Sequence, residues 1–409
     1  MKNLSFSLLA LTSYVLLSSC SADSTANIAS EFSVGSTIEG KTKPISKQAC
    51  NLGNVQITTD FATGRMDECR LIAKNKYLIT LVAENTPINS SPWYAFKVQA
   101  KKQTDITIVM KVRGDKHRYP PKISHDGKHW QLQKYRLNGD RLTMKLAAST
   151  TPLFIAAQEI INNQYYIDWA KKLKSSNSIK HEVLGYSSQG RPLYKLESRN
   201  KLSKEWLVIL GRQHPPEITG ALALFPFVET LLSDSELGQD YRNKYNILVI
   251  PNINPDGVYA GNWRHNANGV DLNRDWQNFG QVETQQINSY LEKLVDDGQK
   301  ITFAIDFHST RHDVFYAMPV DYGMENPYFV RHWLAALDTA TPNFDVVIKP
   351  GNTPNNGVSK QYFADKFGVH AITYEMGDNT DRHDIIFIAH KAADTLMKTM
   401  LSNADHNKE

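Results

Sequence analysis

The sequence predicts two parts: an all-β sandwich, then an α/β domain with a mixed, mostly parallel sheet flanked by helices. Between about residues 50 and 150 the apolar residues fall into short β-type runs separated by polar or glycine-containing breaks. Beyond about residue 155, apolar runs alternate with stretches of helical spacing. A chain of 409 residues also exceeds the ~100–200 residues usual for one domain.

The first segment reads as an address. Lys2 precedes a mostly apolar stretch from Leu4 to Leu17, and the small residues Ser18 and Ser19 follow, so residues 1–19 have the build of an export signal. The stretch is short of the ~20 apolar residues that a spanning helix needs. Leu17-Ser18-Ser19-Cys20 resembles the bacterial lipoprotein box, which implies lipidation of Cys20 and attachment to a membrane; the alternative is a soluble secreted protein whose signal ends near a chance cysteine. Ser21, where an Asp would favour the inner membrane, points to the outer membrane of a bacterial envelope, facing the periplasm. Residues 20–45, rich in Ser, Thr, Ala and Lys without apolar periodicity, read as a tether.

Residues 46–150 form the expected sandwich domain, with runs at Val55 to Thr59, Tyr77 to Val82, Trp93 to Val98, Ile106 to Val112 and Leu142 to Leu146. Cys50 and Cys69 lie here, either bridged, as an oxidising compartment would allow, or as two thiols. Residues 155–403 form the α/β domain, in which strands such as Trp206 to Leu210, Ile247 to Ile250, Thr302 to Phe307 and Ala371 to Tyr374 alternate with helices such as Leu222 to Leu232 and Ile386 to Met400. Hydrophobic residues at 41% and charged residues at 22% exclude a multi-span membrane protein and a disordered chain. A net charge of +4 from scattered Lys and Arg gives no reason to expect a nucleic-acid partner.

The chemistry-bearing residues sit where strands end. After Trp206 to Leu210 comes Gly211-Arg-Gln-His214-Pro-Pro-Glu217, an imidazole and a carboxylate in one strand-to-helix turn, able to share a cation. Alone, the pair could equally be a surface His beside a helix-starting Glu. A further imidazole, His308, closes the run Thr302 to Phe307, and two nearby ligands plus a distant one are the shape of an open catalytic zinc site. Between them lie Asn254-Pro-Asp-Gly257 and the segment Arg264 to Arg274, whose arginines can hold a carboxylate and polarise a carbonyl. Glu375 ends another β-type run.

These motifs, in this order, resemble the zinc metallocarboxypeptidase family (carboxypeptidase A-like) over about residues 155 to 400, and the β-rich region around Ser91-Pro-Trp93-Tyr-Ala-Phe96 looks like the layout of its cytosolic carboxypeptidase subgroup. The resemblance implies one zinc per chain held by His214, Glu217 and His308, with Asp271 orienting His214. It implies that Arg264 faces the developing oxyanion, that Asn273 and Arg274 hold the substrate's terminal carboxylate, and that Glu375 is general base and then general acid. Counting 15 positions back from Glu375 places Lys360 at the bottom of the pocket for the leaving side chain, which implies a preference for an acidic C-terminal residue.

The activity expected is removal of a C-terminal residue from a peptide. Three rivals remain: cleavage of a cell-wall peptide bond between D-glutamate and diaminopimelate, deacylation of an amino acid, and an inactive carboxypeptidase-like binding module.

Overall fold

The computed structural model describes residues 48–173 and 179–406; Cys20, the signal-like segment and the tether lie outside the described residues. Among the described residues, no helix is long and apolar enough to cross a membrane.

Among the described residues, eleven strands build the sandwich. One sheet runs in the order β1 (Ala49–Leu52), β2 (Val55–Thr58), β5 (Ala95–Ala100), β11 (Leu153–Ala156), β7 (Lys122–Ser124) and β8 (Gln131–Leu132); the other runs β3 (Glu68–Ala73), β4 (Lys76–Leu81), β6 (Thr104–Val112), β10 (Arg141–Ala148) and β9 (Tyr135–Asn138). Successive strand residues face opposite sides, so Leu142, Met144, Leu146 and Ala148 of β10 turn inward with Ile106, Ile108, Met110 and Val112 of β6. They share a core with Val55, Ile57, Phe96, Val98 and Ile155 of the facing sheet. Each large aliphatic buried there contributes ~1.5–3 kcal/mol. Cys50 of β1 is bridged to Cys69 of β3 across a Cα–Cα distance of 5.9 Å, so the disulfide staples the two sheets together. Because β11 pairs between β5 and β7, the first sheet extends to Ala156, past the residue 150 where the sequence turns from β-type to helical patterns.

The α/β domain has an eight-stranded sheet in the order β12 (Ile179–Tyr186), β13 (Pro192–Ser198), β15 (Tyr245–Ile250), β14 (Glu205–Gly211), β16 (Lys300–Thr310), β19 (Ala371–Gly377), β17 (Val314–Ala317) and β18 (Ile348–Pro350). Its centre, β15-β14-β16-β19, is parallel, while β12, β13 and β17 pair antiparallel with their inner neighbours. Helices α2 (Ile218–Leu231), α6 (Phe329–Ala340) and α8 (Arg382–His406) cover one face; α5 (Val282–Asp296) and α7 (Ser359–Phe367) cover the other. Strand β14 shows why both faces are apolar: Leu207 and Ile209 pack on the side of α2, α6 and α8, and Trp206, Val208 and Leu210 on the side of α5 and α7. Helices α1 (Asn163–Leu173), α3 (Glu236–Lys244) and α4 (Pro255–Ala260) complete the domain.

The sandwich lies against the α/β domain at the end of α4. Gly261 caps that helix at φ +73°, and a Cβ there would come within 2.6 Å of the carbonyl oxygen of Thr63. The left-handed turn and the close approach both require glycine. Thr63 N–H donates to Tyr259 O (3.0 Å), and the buried Trp93 donates its indole N–H to Thr63 O (2.8 Å).

Candidate metal centre

The centre forms where two parallel strands end side by side. Gly211, the last residue of β14, is opposite Phe307 of β16, so the turn leaving β14 passes next to His308. That turn holds Arg212 at φ +52°, a conformation unusual outside glycine. The buried Arg212 secures it, its guanidinium donating to Pro215 O (2.9 and 2.8 Å) and to the Tyr166 hydroxyl (2.9 Å). His214 then points inward, and Glu217 sits at the N-cap position of α2 with its carboxylate turned to the two histidines and making no cap bond.

The structure brings His214, Glu217 and His308 together, with one donor atom from each within 4.8 Å of the others. His214 Nδ1 is 2.8 Å from Glu217 Oε1, His308 Nδ1 is 2.8 Å from Glu217 Oε2, and the two Nδ1 atoms are 3.3 Å apart. Behind the rings, His214 Nε2 lies 2.9 Å from Asp271 Oδ1 and His308 Nε2 lies 2.8 Å from Asp306 Oδ2. A carboxylate behind each Nε2 keeps the ring hydrogen there, which leaves both Nδ1 lone pairs facing the Glu217 carboxylate. Three buried electron-pair donors aimed at one another need a cation between them, and two imidazoles with one carboxylate fit zinc with a position left open. Burial opposes charge on His308, yet Asp306 and Glu217 outweigh it and drive its pKa well above the usual range, so the surroundings favour positive charge.

Asp271 bridges outward. Its Oδ2 accepts from Arg264 Nε at 2.7 Å, and although burial would raise its pKa, Arg264 and His214 hold it well below the carboxylate range. Glu375 of β19 is directly opposite His308 of β16, so the two side chains share one face of the sheet. Its Oε2 is buried with no hydrogen-bond partner among the described residues, and burial together with the Glu217 charge pushes its carboxyl up to about 8. Asn273 and Arg274 occupy a 3-10 turn at Leu272–Arg274, where the Asn273 amide oxygen accepts from Ser359 N–H (2.9 Å) and its Nδ2 is 3.5 Å from His308 Nε2. Lys360, in the first turn of α7, is buried, and its ammonium donates to the carbonyls of Ala317 (3.2 Å) and Gly351; burial pushes it down to about 8.

Three residues absent from the sequence reading belong to this region. Asp306 was within its reach, since residues two apart on a strand share a face, and Asp306-Phe-His308 puts a carboxylate beside the ring. Arg118 and Glu84 come from the sandwich, and no local pattern marks them. Arg118 clamps Asp378 through Nε and Nη2 (2.7 and 3.0 Å) and donates to Ser309 O (3.3 Å), tying together the ends of β19 and β16. Glu84 accepts from the main chain at Trp263, Arg264 and His265.

Two imidazoles and a carboxylate at the ends of parallel strands, with an unpaired carboxylate and a guanidinium alongside, define a zinc-dependent hydrolase centre. The zinc carboxypeptidase family model matches residues 166–399, more than half of the chain, and the chain belongs to that family. It is 26% identical over 311 residues to cytosolic carboxypeptidase 2 of Xenopus tropicalis, covering 66% of this chain and 32% of that protein. It is 24% identical over 241 residues to an uncharacterised protein of Zymomonas mobilis, covering 57% of this chain and 62% of that protein. The chain thus spans less than two thirds of the length of these curated relatives. The solved metallo-carboxypeptidase from Burkholderia cenocepacia superposes with a TM-score of 0.73 at 15% identity, covering 85% of this chain and 99% of that one. The Pseudomonas aeruginosa metallo-carboxypeptidase in complex with (2-guanidinoethylmercapto)succinic acid superposes with a TM-score of 0.69 at 19% identity, covering 84% and 99%. Both likenesses are of fold, over a span longer than the α/β domain.

Losing the carboxylate behind a ligating imidazole should weaken metal binding. Asp306→Asn is expected to lower zinc affinity by about 10- to 100-fold, read by chelator competition; unchanged affinity would remove Asp306 from the centre.

Proposed function

We propose that this protein removes the C-terminal residue from peptides. The observation that carries the reading is Glu375: a buried carboxylate with one uncommitted oxygen, opposite His308 and beside Glu217, positioned to exchange a proton at the centre. Zinc, when bound, supplies the Lewis acidity that activates water near neutral pH and polarises the scissile carbonyl. Glu375 takes the proton of the attacking water as the new C–O bond forms, then delivers it to the leaving amine as the C–N bond breaks. Arg264, anchored by Nε on Asp271, has terminal amino groups to offer the charge developing on the carbonyl oxygen. Arg274 and Asn273 hold the terminal carboxylate, a group that an amino-acid deacylase substrate would not present in this way. An inactive binding module would have no use for the complete set of ligands and base.

Lys360 gives the reading its side-chain preference. An ammonium has three donors, two of which go to Ala317 O and Gly351 O, so the third can meet the side-chain carboxylate of a C-terminal Glu or Asp. An apolar side chain would leave that charge without a counter-ion. The same complementarity suits a bond next to D-glutamate in cell-wall peptide, so purified muropeptides belong in the substrate panel. We also place the protein in the bacterial envelope, held to the outer membrane by a lipid on Cys20; the Cys50–Cys69 bridge supports an oxidising compartment.

Three outcomes test these readings. Glu375→Gln is nearly isosteric and should keep zinc while losing about 10²- to 10⁴-fold in kcat on C-terminal peptides; near-native turnover would refute its role. Lys360 has a lowered pKa, so it is charged below about 8 and neutral above. The kcat/KM advantage of a C-terminal Glu over a Phe should therefore fall by at least about tenfold as pH rises from about 6.5 to about 9.5, and Lys360→Met should flatten that dependence. A ratio independent of pH in the wild type would sink the pocket assignment. Cys20→Ser should shift the protein from the membrane to the soluble fraction; unchanged fractionation would exclude the anchor.

A further inference from the structure

The sandwich supplies a buried carboxylate directly beneath the Arg264 turn. Glu84 follows β4, and its side chain is 0% exposed. Its Oε2 accepts from Trp263 N–H at 2.8 Å, and its Oε1 accepts from Arg264 N–H at 2.9 Å and from His265 N–H at 2.8 Å. Three successive amides thus converge on one side chain from another domain. These amides belong to a loop beyond the left-handed cap at Gly261, where neither helix nor strand could satisfy them. His265 Nδ1 (3.3 Å from Oε1) and Arg65 Nη1 (3.8 Å from Oε2) complete the surroundings of the carboxylate. Burial alone would raise its pKa, but His265 and Arg65 outweigh burial and hold it at about 2, so Glu84 is an anion throughout the working pH range.

The carboxylate therefore holds the root of the Arg264 side chain, and Asp271 holds its Nε at 2.7 Å. With main chain and Nε both fixed, the terminal amino groups of the guanidinium have little freedom left. Asp271 Oδ1 also lies 2.9 Å from His214 Nε2, so the line runs from Glu84 through Arg264 and Asp271 to a metal ligand. We propose that Glu84 is a positioning residue for hydrolysis, acting through Arg264, so that the sandwich forms part of the catalytic apparatus. This rests on the carboxypeptidase reading above.

The experiment is a double-mutant cycle on the full chain with Glu84→Gln and Arg264→Ala. An amide offers one acceptor oxygen and turns an NH₂ toward the loop's donors, so it cannot serve three N–H groups. Glu84→Gln should keep one zinc per chain, lose about 10- to 100-fold in kcat and change KM by less than about threefold; the double variant should be no worse than Arg264→Ala alone, within about twofold. Multiplying effects, a loss confined to KM, or an unchanged kcat would overturn the proposal. Glu84→Asp, which keeps both oxygens, carries the same cycle if Glu84→Gln does not fold. Amide hydrogen exchange separates this inference from the functional reading. Glu84→Gln should speed exchange at residues 263–265 and leave 305–309 as in the wild type; unchanged exchange at 263–265 overturns the positioning role whatever the substrate. A wild type that releases no C-terminal residue from any peptide overturns only the carboxypeptidase reading.

Discussion

Two imidazole lone pairs and a carboxylate, buried within 4.8 Å of one another, are the constraint on which the rest of the site depends. Without a cation such a cluster repels itself, and with one it works only if every donor is held from behind. The protein meets this with a second ring of anions, Asp271 and Asp306, one behind each histidine. Those anions need partners in turn, and Asp306 Oδ2 receives donors from Gln213 and Ser359. Asp271 takes Arg264, the same guanidinium assigned to the developing negative charge. Asp271 therefore ties a metal-site histidine to the Arg264 guanidinium, and moving that carboxylate disturbs both.

Strand topology delivers the network. Parallel strands present their carboxyl ends on one edge, and the registers Gly211 with Phe307 and His308 with Glu375 align a turn, a metal ligand and a buried carboxylate there. The apolar faces of β14, β15 and β16 keep these strands immobile between two helical layers. The sandwich then closes the edge from outside. Arg118 joins the ends of β16 and β19, and Glu84 supports the loop between α4 and the 3-10 turn, so residues from both domains fix positions around the metal site.

Much of this was legible in the sequence. The ligand trio stood out because His-x-x-Glu and a strand-end His recur in a fixed order, and Glu375 because it ends an apolar β-type run. The β-sandwich and the α/β sheet were legible from the change in apolar periodicity. Two of the missing strands have a physical reason: β8 and β9 are exposed along their whole length and carry no inward-outward alternation, so burial never shaped their pattern. Strand β11 straddles the gap between the expected segments 46–150 and 155–403, because it returns to the first sheet after the last clear turn signal. Glu84 and Arg118 were illegible for a different reason. They act across 180 and 260 residues of chain, respectively, and a buried ion that serves a distant loop looks in sequence like any surface charge.

The clamp from Arg118 to Asp378 also bears on which stretch of the chain completes the site. The stretch of chain that ends with β16 already has His214, Glu217 and His308. It still lacks Glu375 and the carboxylate that Arg118 must grip, since both arrive with β19 and the residue just beyond it. The site is therefore closed by the last strand in chain order: a product cut short before β19 keeps the three metal ligands and loses both Glu375 and the Arg118–Asp378 clamp.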